Sequence, residues 1–153
     1  MGLEGLVARD GLLADLDFTG KLDLLAIIPG GKGLKTYRNL GSFYFQSNAT
    51  NSGLPGVLPG VERVAVEDWN NDDVAGTFVT RAGQPPLFFS KQRAGQFVQT
   101  NLAGIWPSGN AIALGDLNND LRMDMALADD TQLHFIFGGI AEQRHLSLNG
   151  LKA

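Results

Sequence analysis

The chain of 153 residues contains no cysteine, which excludes disulfide bonds, zinc–thiolate sites and a cysteine nucleophile. It also lacks any apolar run of about 18 residues, the length that predicts a membrane-spanning helix. Basic residues are few, 12 against 16 acidic ones, and they form no stripe along the sequence. With a net charge of −4, the protein would not attract phosphates or anionic lipids. We expect neither nucleic-acid binding nor membrane insertion.

Helical periodicity is missing as well. The apolar runs are short, rich in aromatic and β-branched residues, and interrupted by 20 glycines and 6 prolines. Runs of this kind predict strands rather than helices. The opening MGLEGLVARDG lacks the basic start and the continuous apolar segment of a signal peptide, so we expect none in this chain. The apolar fraction of 44% indicates a globular protein.

An internal repeat organises the sequence. The stretches ADLDFTGKLDLL, VAVEDWNNDDVAGTFV and IALGDLNNDLRMDMAL each place a short Asp/Asn-rich loop between two apolar runs. These loops begin at Asp15, Asp68 and Asp116, which are 53 and 48 residues apart. Such a period predicts repeated structural units. We place three repeats at approximately 6–53, 57–102 and 105–153, within one domain of residues 1–153.

Each repeat contains four candidate strands. One precedes the acidic loop and one follows it; the third lies around Tyr37, Phe88 or Phe135, and the fourth around Phe43, Phe97 or Leu146. Four short strands in 40 to 50 residues are typical of a propeller blade. The sequence therefore predicts an all-β fold of three four-stranded antiparallel blades. The apolar runs GLLADLDF and LAIIPGG predict inner strands that are packed on both faces.

The acidic loops have the ligand spacing of a calcium site. Calcium takes six to eight oxygen ligands, and a loop can supply them from positions 1, 3, 5, 7 (through its backbone carbonyl) and 9. The first loop offers Asp15, Asp17, Thr19, the carbonyl of Lys21, and Asp23; the third offers Asp116, Asn118, Asp120, the carbonyl of Arg122, and Asp124. A divalent cation would offset the repulsion among three carboxylates within nine residues.

The three loops differ in detail. The first has Gly20 at position 6, where a sharp turn favours glycine, whereas the third has Leu121 there. The second loop supplies Asp68, Asn70 and Asp72 but has Gly76 at position 9, so we expect it to bind metal weakly or to be empty. An alternative applies to all three: Asp and Asn side chains also stabilise tight turns by accepting hydrogen bonds from nearby amides, without any metal.

The acidic loop between apolar strands, followed by YRNLGSFYFQSNATNSGL, resembles the FG-GAP/VCBS repeat family. Repeats of that family form the blades of calcium-binding β-propellers like that of integrin α-chains. The resemblance covers three consecutive repeats and implies Ca²⁺ as a structural cofactor, held by the ligand sets of the first and third loops. It also implies a segment of an extracellular or periplasmic protein that serves in cell adhesion, ligand binding or scaffolding.

Three blades do not close a propeller, which usually needs four to eight. The open ends would expose apolar surface. We therefore expect either a homo-oligomer, in which two copies complete a six-bladed ring, or part of a larger propeller.

No pattern of a catalytic site is present. His134 and His145 lie in predicted outer strands, away from any nucleophile motif, and PGGKG lacks the spacing of a phosphate-binding loop. Trp69 is expected to pack inside its blade, and Trp106 either packs between blades or stacks on a sugar or another partner. We predict a non-enzymatic calcium-binding interaction or scaffold module with a protein or glycan ligand. The alternatives are a lectin-like propeller and an enzyme with a site in the central channel.

Overall fold

A computed structural model of the chain describes residues 2–47, 52–92, 95–102 and 106–138, together with the backbone of residues 144–146. These residues form three antiparallel β-sheets and contain no helix, which confirms the predicted all-β class. Consequently, no helix in the described ranges could cross a membrane. The three sheets do not close into a ring.

Each sheet is made by one continuous segment of the chain. The first sheet consists of β1 (Asp10–Ala14), β2 (Asp23–Ile27), β3 (Leu34–Asn39) and β4 (Phe45–Ser47); the second of β5 (Val61–Glu67), β6 (Gly76–Arg81), β7 (Gln84–Lys91) and β8 (Phe97–Thr100); the third of β9 (Ala111–Gly115), β10 (Asp124–Ala128), β11 (Leu133–Ile136) and β12 (Arg144–Leu146). Strands that follow one another in sequence lie side by side in every sheet. Each acidic loop therefore joins the first strand of its sheet to the second.

The second sheet lies between the other two. Consecutive side chains of a strand point to opposite faces, and in β6 both faces are buried: Val79 packs toward the first sheet and Phe78 toward the third. The core is accordingly divided into two clusters. The first includes Leu25, Ile27, Leu34, Val79, Phe89 and Phe97, and the second includes Phe78, Phe88, Met125, Leu127 and Ile136.

The segments between sheets also fill these interfaces. The amide of Phe97 in the second sheet donates to the carbonyl of Ser52 at 2.7 Å, and the amide of Leu34 in the first sheet donates to the carbonyl of Pro55 at 3.0 Å. The segment before β5 therefore bonds to both sheets. Leu102 and Trp106, from the next such segment, pack against the second cluster.

Charged side chains connect the edges of the first two sheets. The Arg9 guanidinium donates to the backbone carbonyls of Val61 and Glu62 and forms an ion pair with the Glu62 carboxylate at 3.4 Å. In the opposite direction, Arg63 pairs with Asp10 at 3.6 Å. Because these side chains are partly exposed, the pairs contribute little to stability.

Two predictions about the strands are wrong. The fourth strand of the first sheet begins at Phe45, and Phe43 lies in the preceding turn with φ of 60° and 85% of its surface exposed. The first strand of that sheet is not packed on both faces, since Leu13 is 57% exposed. Strands β1, β5 and β9 lie at sheet edges, and the strands buried most completely are the second ones of each sheet.

Candidate metal centre

The first aspartate of each acidic loop organises its turn in the same way. One carboxylate oxygen accepts the amide of the fifth loop residue and the other accepts the amide of the sixth. The distances are 3.0 and 2.7 Å for Asp15 (to Thr19 and Gly20), 3.1 and 2.9 Å for Asp68 (to Asp72 and Asp73), and 3.1 and 2.9 Å for Asp116 (to Asp120 and Leu121). The three loops therefore share one backbone shape.

That shape requires left-handed backbone at the fourth and sixth loop positions. Glycine adopts this conformation without penalty, and Gly20 has φ of 78°. The third loop reaches the same conformation with Leu121, at φ of 66°, and the second with Asp73, at φ of 60°. The fourth position is Phe18, Asn71 or Asn119, with φ between 53° and 58°. The sixth residue thus need not be glycine, although a Cβ makes the left-handed conformation costlier, more so for Leu121 than for Asp73.

The ninth position connects the loop to the end of the third strand. Asp23 accepts the amide of Asn39 at 2.8 Å, and Asp124 accepts the amide of Gly138 at 2.9 Å. The second oxygen of Asp124 accepts the amide of Leu117 at 2.8 Å. Both carboxylates are buried, Asp124 completely. These bonds are the metal-free turn contacts that the alternative hypothesis expects, and each oxygen keeps a further lone pair for another partner.

Two cationic side chains contact the first loop. Arg38 pairs with the Asp17 carboxylate at 3.2 Å. The ammonium of Lys91, from β7 of the second sheet, donates a hydrogen bond to the backbone carbonyl of Leu16. Sequence reasoning missed Lys91, because this contact joins residues 75 positions apart and no local pattern signals it.

Burial and charge act in opposite directions on these groups. Burial raises the pKa of Asp23, although the Asn39 amide partly opposes the rise. Burial lowers the pKa of Lys91, despite the attraction of Asp17, Asp23 and Asp15. For Asp17 burial would raise the pKa, but the hydrogen bond from Thr19 and the charges of Arg38 and Lys91 outweigh it and lower the pKa. The depressed pKa of Asp17 is consistent with its ion pair, whereas the shifts of Asp23 and Lys91 reflect the cost of desolvating them.

The third loop presents its acids without such partners. Asp120 accepts the amide of Arg122 at 2.9 Å and the side-chain amide of Asn118 at 3.1 Å. Within the part of the chain that the structure describes, no lysine or arginine forms an ion pair with Asp116, Asp120 or Asp124. The charge of these three carboxylates is therefore not balanced by a described neighbour.

The second loop, like the third, has hydrogen bonds between its own residues. The side-chain amide of Asn70 donates to Asp72 at 2.8 Å, and Asp72 also accepts the amide of Val74 at 3.0 Å. Asn71 reaches the next loop and donates to the carbonyl of Leu121 at 3.2 Å. The second and third loops are thus neighbours at the same edge of the structure.

Calcium ligation can be tested against these donor sets. Among the described residues, no three acidic or histidine side chains converge as a metal-binding group. Calcium sites also use amide, hydroxyl and carbonyl oxygens, and the third loop has three carboxylates, the Asn118 amide and the Arg122 carbonyl available. By donor chemistry and charge the third loop fits calcium, although its three carboxylates do not converge in the described arrangement. The first loop fits less well, because cations already lie beside its acids.

The remaining candidates lie in the core. Trp69 packs edge-on against Phe78 at 5.1 Å between ring centroids, and Trp106 lies 6.1 Å from Trp69 and 6.3 Å from Phe78. Trp106 is half-buried in this aromatic group, which favours packing over sugar stacking. His134 is buried in β11, and of His145 only the backbone, in β12, is described.

Comparison with protein-family models, with curated proteins and with solved structures found no match to this chain.

Proposed function

We propose that this chain is a calcium-binding, non-enzymatic interaction or scaffold module, whose three sheets are propeller blades of the FG-GAP/VCBS type. The observation that carries the proposal is the repetition of one loop geometry. Three successive four-stranded sheets each place an aspartate-anchored, nine-residue turn between their first and second strands. The oxygen-bearing side chains recur at alternate positions of these turns, which is also the ligand spacing of a calcium loop.

The third loop is the proposed calcium site. Its three carboxylates lie within nine residues and lack a described counter-charge, so a divalent cation would relieve their repulsion. Asp116, Asn118, Asp120, the Arg122 carbonyl and Asp124 would be the ligands. Calcium bound to the folded state alone would stabilise it, by an amount set by the ratio of free calcium to the dissociation constant.

The ends of the three-sheet stack support the proposed association with further blades. Apolar side chains around the first sheet face solvent, including Val7 at 68% and Leu13 at 57% exposure. In the interior of the stack, equivalent faces are covered by a neighbouring sheet. We propose that a second copy, or further blades of a longer chain, covers the ends, and that the module acts in an extracellular or periplasmic setting on a protein or glycan ligand.

A catalytic role has less support. Asp17, Asp23 and Lys91, three of the groups with shifted pKa values, line a cavity of about 40 Å³. That volume is close to the roughly 30 Å³ that one water occupies in the liquid and far below the 300 Å³ or more of a ligand pocket. We therefore propose a structural role for this cluster.

Calcium titration of two matched variants tests the proposal. Asp120→Asn and Asp72→Asn change the same loop position, and in both proteins the new amide oxygen can still accept the bond from the residue two positions on. Over a calcium range set by the wild-type affinity, we expect calorimetry to show binding to the wild type and to Asp72→Asn but not to Asp120→Asn, whose loop has lost one of its three carboxylate charges. The melting temperature should rise with calcium in the first two proteins only. Equal calcium responses in all three proteins, or none in the wild type, would reject the third-loop site.

Light scattering after size exclusion tests the association. A dimer mass in calcium would support ring completion by two copies. A stable monomer at high protein concentration would leave only the larger-propeller form of the proposal.

A further inference from the structure

A side chain from the neighbouring sheet contacts the first acidic loop. Lys91 is the last residue of β7, and its ammonium lies 5.8 Å from the centroid of the Phe97 ring. There it donates to the carbonyl of Leu16, the residue between the loop aspartates Asp15 and Asp17. A positive charge from the second sheet is therefore held beside the acidic loop of the first, close enough to interact with Asp15, Asp17 and Asp23 but not in an ion pair with any of them.

A second cation lies beside the first loop. Arg38, which pairs with Asp17, immediately precedes Asn39, whose amide binds the ninth-position aspartate. In the third sheet Gly138 makes that bond, and the residue before it is Phe137. The acids of the first loop thus face two cations, where the described part of the third sheet offers an aromatic ring.

We propose that the Lys91 ammonium, together with Arg38, supplies the counter-charge of the first loop, the role proposed for calcium in the third. A calcium ion there would share Asp15, Asp17 and Asp23 with a lysine and an arginine, and like charges repel strongly at such short range. The lysine also ties the first sheet to the second, which a loop-bound metal would not do. This inference rests on the proposed function, since it assigns calcium to the third loop alone.

The surroundings of the ammonium fit this assignment. A cavity of about 40 Å³ is lined by Asp17, Asp23, Thr36 and Lys91. The Thr36 hydroxyl is buried and has no hydrogen-bond partner. One water fits this volume and would bridge that hydroxyl to the ammonium, which has three protons to donate.

The test removes the lysine charge while keeping most of its length. Lys91→Met is made alone and in the Asp120→Asn background, where the third loop no longer binds calcium. Lys32→Met, an exposed lysine outside the acidic loops, is the control for charge. We expect Asp120→Asn to bind no calcium and the Asp120→Asn/Lys91→Met protein to gain a single site, which adding Asp17→Asn abolishes. In chelator, Lys91→Met should melt about 4 °C or more below Lys32→Met.

The outcomes separate the two proposals. Calcium binding in the Asp120→Asn protein that disappears with Asp17→Asn would overturn the lysine assignment and leave the calcium function standing. If no protein binds calcium, the proposed calcium function is rejected. The melting comparison in chelator then tests the role of Lys91 by itself. Equal melting of Lys91→Met and Lys32→Met would then reject the role of Lys91, and the expected difference would support it.

Discussion

Gly76 lies directly against the ring of Phe88. A Cβ added to Gly76 would sit 2.4 Å from Cε2 of that ring, and the ring is fixed by contact with Phe78 at 4.6 Å between centroids. Gly76 occupies the ninth position of the second loop, where the other two loops have aspartate. The ring therefore occupies the space that an acidic side chain would need, which gives a packing reason for the absence of an acid at this position.

Replacing Gly76 by alanine should destabilise the protein by about 1–3 kcal/mol, as overpacking of a core usually does. The matched control is Gly115→Ala, since a Cβ at Gly115 would meet no atom within 4 Å. Urea unfolding followed by circular dichroism measures both. Equal stabilities would show that the Phe88 ring moves aside freely.

Phe78 is the central side chain of the second cluster. It is fully buried and contacts Trp69, Phe88 and Trp106. Phe78→Ala should cost about 3–5 kcal/mol because it leaves a cavity between the second and third sheets, and it should change the tryptophan emission of the folded protein. Phe43→Ala, at a position 85% exposed, should leave both stability and emission almost unchanged; a comparable loss there would contradict the assigned packing.

Asp124 has a structural role that does not depend on metal. Asp124→Ala leaves the amides of Leu117 and Gly138 without their acceptor in a buried site, which should cost about 1–3 kcal/mol for each amide left unpaired. The loss should persist in chelator. Asp120→Ala, in the same loop but exposed, should cost much less in chelator because water can replace the carboxylate. Similar losses for the two variants in chelator would disprove the buried-acceptor role.

Asp129 should make the stability depend on acid pH. The amide of Thr131, then its hydroxyl, then the amide of Gln132 donate to this carboxylate and lower its pKa. A depressed folded-state pKa stabilises the protein above the unfolded value of about 3.9, and that contribution is lost as the pH falls through the folded pKa. Wild type should therefore exceed Asp129→Asn in stability at pH 7, with the difference shrinking below about pH 4.

Asp130→Asn is the control for Asp129, because among the described residues Asp130 accepts one 3.4 Å bond, from the side-chain amide of Asn110. At pH 7 it should destabilise the protein less than Asp129→Asn does. A pH-independent difference for Asp129→Asn would contradict the role of the turn.

The sequence predicted the loops better than it predicted their surroundings. An aspartate followed by amides four and five residues on makes a local turn, so Asp15, Asp68 and Asp116 behave alike wherever the sheets lie. The strand around Phe43 was misplaced because an aromatic residue favours strands, yet this one lies in a turn at positive φ. Leu13 was expected to be buried because an apolar run does not reveal whether another sheet covers it.

The sequence by itself determined the three-fold repeat, the all-β class and the backbone of the acidic turns, because alternation of side chains and short-range hydrogen bonds act within a few residues. Only the tertiary structure decided which side chains lie beside each acidic loop. Lys91 reaches Leu16 across 75 positions, and Phe88 excludes an acid at Gly76, through contacts between or across strands. Those contacts depend on how strands pair and sheets stack, so no spacing along the chain encodes them.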